Sequence, residues 1–110
     1  MKVHHRDLAG GRWSSFPFLL QMAHVGSEVE RALKWQKLGN SNRFRPAYER
    51  MLELLDLSVS QARRPSQVRE LTRVREALVD YFEGPNEMGS SAALWRKYFD
   101  AFTYAARKNC

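Results

Sequence analysis

The chain has 110 residues, 44% of them hydrophobic, and 18 basic against 12 acidic residues give it a formal net charge of +6. That length suits one domain with a single core, and the apolar content excludes an intrinsically disordered chain. The apolar runs are too short for a membrane-spanning segment, and the N-terminus lacks the apolar stretch of a signal peptide, so we expect a cytoplasmic protein.

The two ends of the sequence lie outside any clear helical pattern. Residues 1–15 have no helical period and contain Gly10 and Gly11, so we predict a short N-terminal arm. Cys110 is the single cysteine and the last residue, so no internal disulfide can form. We predict that its thiol has no special role.

The longest helical pattern runs from residue 16 to residue 38. Its core-facing stripe follows the helical period and comprises Phe18, Met22, Val25, Gly26, Val29, Ala32 and Leu33. A second line lies almost opposite and consists of His24, Glu28, Arg31 and Trp35. Gly39 and Asn40 follow the last periodic residue and are expected to end the helix.

Three further helices are predicted at about 44–61, 66–83 and 91–108. In the second helix Pro46 falls in the first turn, Ser41 or Asn42 is the expected cap, and the apolar arc is broad enough for two neighbours or another subunit. The fourth helix is expected to point these residues inward: Leu94, Trp95, Tyr98, Ala101, Phe102 and Ala105. The short connectors predict an all-α, antiparallel up-down four-helix bundle over residues 16–110, preceded by the arm.

That topology places the second connector and both chain termini at one end of the bundle. The basic residues expected there, which we call the arginine-rich end, are Arg63, Arg64, Arg69, Arg73, Arg107 and Lys108, with Lys2, Arg6 and Arg12 added by the arm. The planar guanidinium of arginine suits phosphate, so this end is predicted to bind nucleic acid or an acidic protein. The alternative is a solvated helix end with no specific role. The opposite end is expected to be roughly self-neutralising.

The line of His24, Glu28, Arg31 and Trp35 is a predicted oligomer interface. A tryptophan opposite the core stripe would anchor a subunit contact, so we expect a homo-oligomer, a dimer first, formed through this line or the broad face of helix two. In the simpler alternative, Glu28 pairs with Arg31 while His24 and Trp35 lie in a groove or at a subunit contact.

Aromatic residues are a second class of candidate binding group. Trp35, Trp95, Tyr98 and Tyr104 could stack with nucleobases, although aromatic residues at helical spacing more often belong to the core. Trp35 is the exception, because its line lies opposite the main stripe.

Neither a metal centre nor a catalytic group is indicated by the sequence. His24 and Glu28 are spaced to share a metal, but the Glu-x-x-His pairing of metal-binding bundles is absent, so we expect no metal and no other cofactor. No P-loop, dinucleotide-binding motif, or nucleophile with its base is present. We therefore predict a non-enzymatic protein. The remaining alternative is an enzyme or small-ligand protein with a pocket between helices one and four.

Two stretches carry a resemblance: HVGSEVERALKW, and DYFEGPNEMGSSAALWRKYFDAFTYAAR. They resemble small, uncharacterised prokaryotic helical proteins over residues 16–108, and that resemblance implies no assigned activity. In architecture, size and charge the chain is also similar to the bundle proteins of ribosomal-RNA intervening sequences and to the accessory proteins of diversity-generating retroelements. That similarity implies a nucleic-acid or ribonucleoprotein role by analogy of fold.

Overall fold

The computed structural model describes residues 16–108, which form four α-helices and no strand. Their bounds are α1 Phe18–Lys37, α2 Ser41–Gln61, α3 Pro65–Phe82 and α4 Ala92–Lys108. The prediction of an all-α bundle is confirmed. The predicted arm at residues 1–15 and the thiol of Cys110 lie outside the described residues. Within residues 16–108, none of the helices has the length and apolar content that crossing a membrane requires.

Helix α1 is the central element of the bundle. It packs along α2 on one side and α4 on the other, while α3 packs less extensively, mainly against α2. Sequential helices run antiparallel, as two contacts between α1 and α2 show: Glu28 with Arg50, and Trp35 with Arg43. The same reversal appears in Asp56–Arg75 and Arg45–Glu83 for α2 and α3, and in Phe18–Phe102 and Glu30–Arg96 for α1 and α4.

The core is apolar and draws on all four helices. The stripe predicted for α1 is the buried one, and Tyr48 of α2 is the largest fully buried side chain. The core residues are Met22, Val25, Val29, Leu33, Tyr48, Met51, Leu54, Leu55, Leu71, Val74, Leu78, Trp95 and Phe99. Because α2 contacts both α1 and α3, its broad apolar arc is used within the chain.

Helix α2 begins earlier than the sequence predicts, at Ser41. The side chain of Asn40 accepts a hydrogen bond of 3.1 Å from the backbone N–H of Arg43, so Asn40 is the N-cap instead of Ser41 or Asn42. Pro46 consequently lies inside the helix. Since proline has no N–H, the carbonyl of Asn42, four residues earlier, loses its usual helical hydrogen bond.

Helices α1 and α4 approach closely where Gly26 faces Phe99. A Cβ atom added at Gly26 would lie 2.8 Å from the Cβ of Phe99, closer than two such atoms can pack. The inward face predicted for α4 is met in part. Trp95 is buried as predicted, but Phe99 is buried in addition, whereas Leu94 is 57% exposed and Ala101 is exposed. The absence of a side chain at Gly26 permits this approach.

The buried Tyr48 gives the fold a dependence on alkaline pH. Its hydroxyl makes no hydrogen bond within residues 16–108. Burial, and after it the negative charge of nearby Glu83, raise the pKa of Tyr48 to about 12, without a hydrogen bond between the two side chains. The tyrosine of the unfolded chain ionises near pH 10, so the folded state's advantage is complete below that pH and is lost as the pH rises to about 12.

We therefore expect Tyr48→Phe to leave the free energy of unfolding at pH 7 unchanged or slightly higher, because it removes an unsatisfied hydroxyl. The decline in stability between about pH 10 and 12 should shrink by roughly 2–3 kcal/mol. Urea denaturation across that pH range measures both effects. The control is Tyr98→Phe, which loses a hydrogen bond to the Glu70 carboxylate and should cost about 1.5–3 kcal/mol at pH 7. A comparable loss for Tyr48→Phe at pH 7 would contradict the assignment.

Candidate functional site

The arginine-rich end lies where α2 ends, α3 begins and α4 ends. The hydroxyl of Tyr98 donates a hydrogen bond to the carboxylate of Glu70, which places the middle of α4 beside the first half of α3. All six predicted cations are exposed, and all but Arg73, which lies midway along α3, are close to this end of the bundle. The structure therefore brings together cations from the connector after α2, from α3 and from the C-terminal turn of α4.

These cations are poorly matched by carboxylates. Arg73 lies 3.9 Å from Glu70, and this is the one ion pair formed by the six cations within residues 16–108. Glu70 also accepts a hydrogen bond from Tyr98, so its negative charge is shared between Tyr98 and Arg73. The cations without an ion pair in the described chain are Arg63, Arg64, Arg69, Arg107 and Lys108. They remain available to an incoming anion.

The opposite end of the bundle is only partly neutralised. Arg45 pairs with Glu83 at 3.0 Å, and the carboxylate of Asp80 accepts two backbone N–H groups of the connector between α3 and α4. The expectation of a self-neutralising end is nevertheless incomplete, because Lys34, Lys37 and Arg43 form no ion pair in the described part of the chain. Two of these cations contact Trp35.

Glu28, a member of the predicted interface line, forms its ion pairs within the chain. It is buried between α1 and α2, where it accepts 2.7 Å and 3.2 Å hydrogen bonds from Arg31 and Arg50. The pairing with Arg31 is the simpler alternative that the sequence offered. Arg50 was missed, because a partner 22 residues away on another helix leaves no periodic signal. Glu28 therefore ties α1 to α2.

His24 and Trp35, the first and last residues of the same line, lie at the surface of α1. His24 is exposed and stacks on Phe16, with 5.5 Å between ring centroids. Trp35 is half-buried, and its ring contacts the Lys34 ammonium at 4.7 Å and the Arg43 guanidinium at 4.9 Å. An interface through this line stays a prediction, now limited to His24, Arg31 and Trp35.

Beside Trp35 runs a groove of about 280 Å³ between α1 and α2. We call it the Trp35 groove; its lining residues are Trp35, Asn42, Arg43, Pro46 and Arg50. The sequence placed Trp35 outside the core but gave no sign that α2 would supply the remaining walls. The groove combines an aromatic ring, two guanidinium groups and polar atoms of the first turns of α2.

A second groove, of about 360 Å³, lies between α1 and α4, where the sequence left room for a ligand pocket. Glu30 and Arg96, which line it, pair with each other at 2.9 Å. The indole N–H of Trp95 is buried and has no hydrogen-bond partner among residues 16–108. This groove offers a ligand one buried donor and a pair of charges that already satisfy each other.

Metal ligands do not gather in the part of the chain that the structure describes. No three side chains of His, Cys, Asp or Glu come together there as a metal site would need. The spacing of His24 and Glu28 is used differently: the carboxylate binds two arginines, and the imidazole stacks on Phe16.

The chain was also compared with known proteins. No protein-family model, curated protein or solved structure matches it. Function is therefore inferred from this chain's own charges, rings and grooves.

Proposed function

We propose that this is a non-enzymatic binding protein whose arginine-rich end contacts nucleic acid or another acidic partner. The observation that supports the proposal is the set of exposed cations there with no ion pair among residues 16–108. Arginine dominates the set, and its fork of N–H donors fits phosphate oxygens two at a time.

The distribution of paired and unpaired arginines separates this end from an ordinary charged surface. Elsewhere on the described chain, Arg31, Arg45, Arg50, Arg75 and Arg96 each bind a carboxylate. Within residues 16–108, the arginines that bind no carboxylate are Arg43, Arg63, Arg64, Arg69 and Arg107, and all but Arg43 lie at the arginine-rich end. Solubility alone gives no reason for this concentration.

A triple variant, Arg63→Ala, Arg64→Ala and Arg69→Ala, tests the proposal by fluorescence anisotropy with a labelled 20-nucleotide strand over a series of salt concentrations. The wild type should bind less tightly as salt rises, because each phosphate contact releases counterions. The variant should bind more weakly and show a log–log salt slope shallower by roughly 2 to 3.

The matched control removes three arginines that already form ion pairs: Arg45→Ala, Arg75→Ala and Arg96→Ala. Its net charge equals that of the triple variant, so a nonspecific charge effect would weaken both equally. Equal loss in the control, or no binding by the wild type at low salt, would refute nucleic-acid binding by the arginine-rich end.

A second candidate is a protein-interaction scaffold that self-associates, as a dimer first. Two large apolar residues on the exposed face of α4 favour it: Leu94 is 57% and Tyr104 is 69% exposed. Self-association is compatible with either function. Light scattering with and without the oligonucleotide separates the candidates, since only the binding protein gains mass with nucleic acid in a salt-sensitive way.

A further inference from the structure

The Trp35 groove presents a planar aromatic ring flanked by cations. The Lys34 ammonium lies 4.7 Å and the Arg43 guanidinium 4.9 Å from the ring centroid of the half-buried indole. Such contacts hold the cations in place while leaving their charge accessible. The groove therefore offers both a stacking surface and positive charge within about 280 Å³.

The charge around the groove is in excess. Glu28 is shared by Arg31 and Arg50, so one carboxylate faces two guanidinium groups. Lys34, Lys37 and Arg43 add charges that no carboxylate of residues 16–108 pairs with. An anionic group of a ligand would neutralise part of this positive charge.

The backbone beside the groove also lacks one usual helical hydrogen bond. Pro46 cannot donate to the carbonyl of Asn42, and both residues line the groove. A stacking ring, an uncompensated cation and a carbonyl acceptor match the three parts of an amine-bearing nucleotide: its base, its phosphate and its exocyclic amino group.

We propose that the Trp35 groove binds one unpaired nucleotide of a single-stranded nucleic acid. The base stacks on the outer face of the Arg43 guanidinium, which lies against the indole of Trp35. The Asn42 carbonyl accepts from the amino group of the base, while Lys34 binds phosphate. This site is separate from the arginine-rich end, and the two stand or fall independently.

The test compares two labelled tetranucleotides of equal charge, oligo-dC and an abasic oligomer, by fluorescence anisotropy at low salt. A stacked tetranucleotide spans about 14 Å at roughly 3.4 Å per nucleotide, so it cannot reach both ends of a bundle 35 Å long. The wild type should prefer the base-bearing oligomer by roughly 5- to 150-fold, the range for stacking one base. Trp35→Ala should bring this ratio close to one while leaving the abasic affinity unchanged.

Two controls separate this proposal from the function proposed above. Tyr104→Ala, at the exposed tyrosine of α4, should leave the ratio unchanged. The triple variant at Arg63, Arg64 and Arg69 should also preserve it, so loss of binding to long strands in that variant concerns the arginine-rich end alone. Arg43→Lys keeps the charge but not the planar group, so it should lower the ratio. Circular dichroism should show that the fold of this variant is unchanged.

Four results would overturn the proposal. The first is a wild-type ratio near one, and the second is no binding of either tetranucleotide at low salt. The third is an unchanged ratio in both Trp35→Ala and Arg43→Lys. The fourth is a change of mass for Trp35→Ala in light scattering, which would make the groove a contact between copies of this chain, as the sequence predicted for Trp35.

Discussion

Replacing Phe99 by alanine is expected to lower the free energy of unfolding by about 3–5 kcal/mol. The ring is 3% exposed, stacks on Trp95 at 6.1 Å and meets Tyr98 edge-on at 4.9 Å between centroids. It also supplies the three atoms nearest to a Cβ built at Gly26. Against a typical total of about 5–15 kcal/mol, the loss should be plain in urea denaturation followed by circular dichroism.

Two further alanine variants make this result informative about the orientation of α4. Phe102 is half-buried, with its ring 6.3 Å from that of Phe18, so Phe102→Ala should cost less than Phe99→Ala. Leu94 is largely exposed, and Leu94→Ala should change stability by no more than about 0.5 kcal/mol. If Leu94→Ala were as damaging as Phe99→Ala, α4 would be rotated toward the face that its sequence pattern predicts.

Gly26 forms the other side of the contact with Phe99. Gly26→Val should lower the free energy of unfolding by about 2–3 kcal/mol. The nearest atom to the new Cβ is the Cβ of Phe99 at 2.8 Å, which no side-chain rotation can move away. Helices α1 and α4 must therefore separate, although valine favours a helix more than glycine does. Urea denaturation measures the change.

The neighbouring Ser27→Val is the matched control, since it adds the same branched side chain at an exposed position of α1. It should stay within about 0.5 kcal/mol of the wild type. A second check follows from the identity of the clashing atom: Phe99→Ala keeps its Cβ, so it should not relieve the strain of Gly26→Val. Wild-type stability in Gly26→Val would show that α1 and α4 are not held at this distance.

The fold class was predictable because each helix carries its own apolar period, and the stripe of α1 is buried as the pattern indicates. The start of α2 was not, since Pro46 was assigned to a first turn, whereas Asn40 caps the helix and places that proline inside it. The buried face of α4 was predicted only in part, since Trp95 is buried as expected but Phe99 was missed. Its aromatic residues allow several arcs, and the choice among them depends on Gly26 of a different helix.

Of the two candidate sites, one could be predicted from the sequence and the other could not. The arginine-rich end could be assembled from the sequence because the topology alone assigns charges to ends of a bundle. The Trp35 groove could not, since its walls come from two helices and its excess of charge depends on which arginines Glu28 engages. Local spacing pointed to Arg31 but carried no information about Arg50.

Helix α3 packs less extensively than the other helices, and this affects anion binding at the arginine-rich end. This helix buries Leu71, Val74 and Leu78 and packs chiefly on α2, so it has the least to lose by local opening. Arg69 and Arg73 travel with it, whereas Arg107 stays on α4. An anion held by both helices binds only the docked form, and by mass action it shifts the docking equilibrium in proportion to its own affinity. Occupancy of that end would then be readable as slower amide exchange along α3.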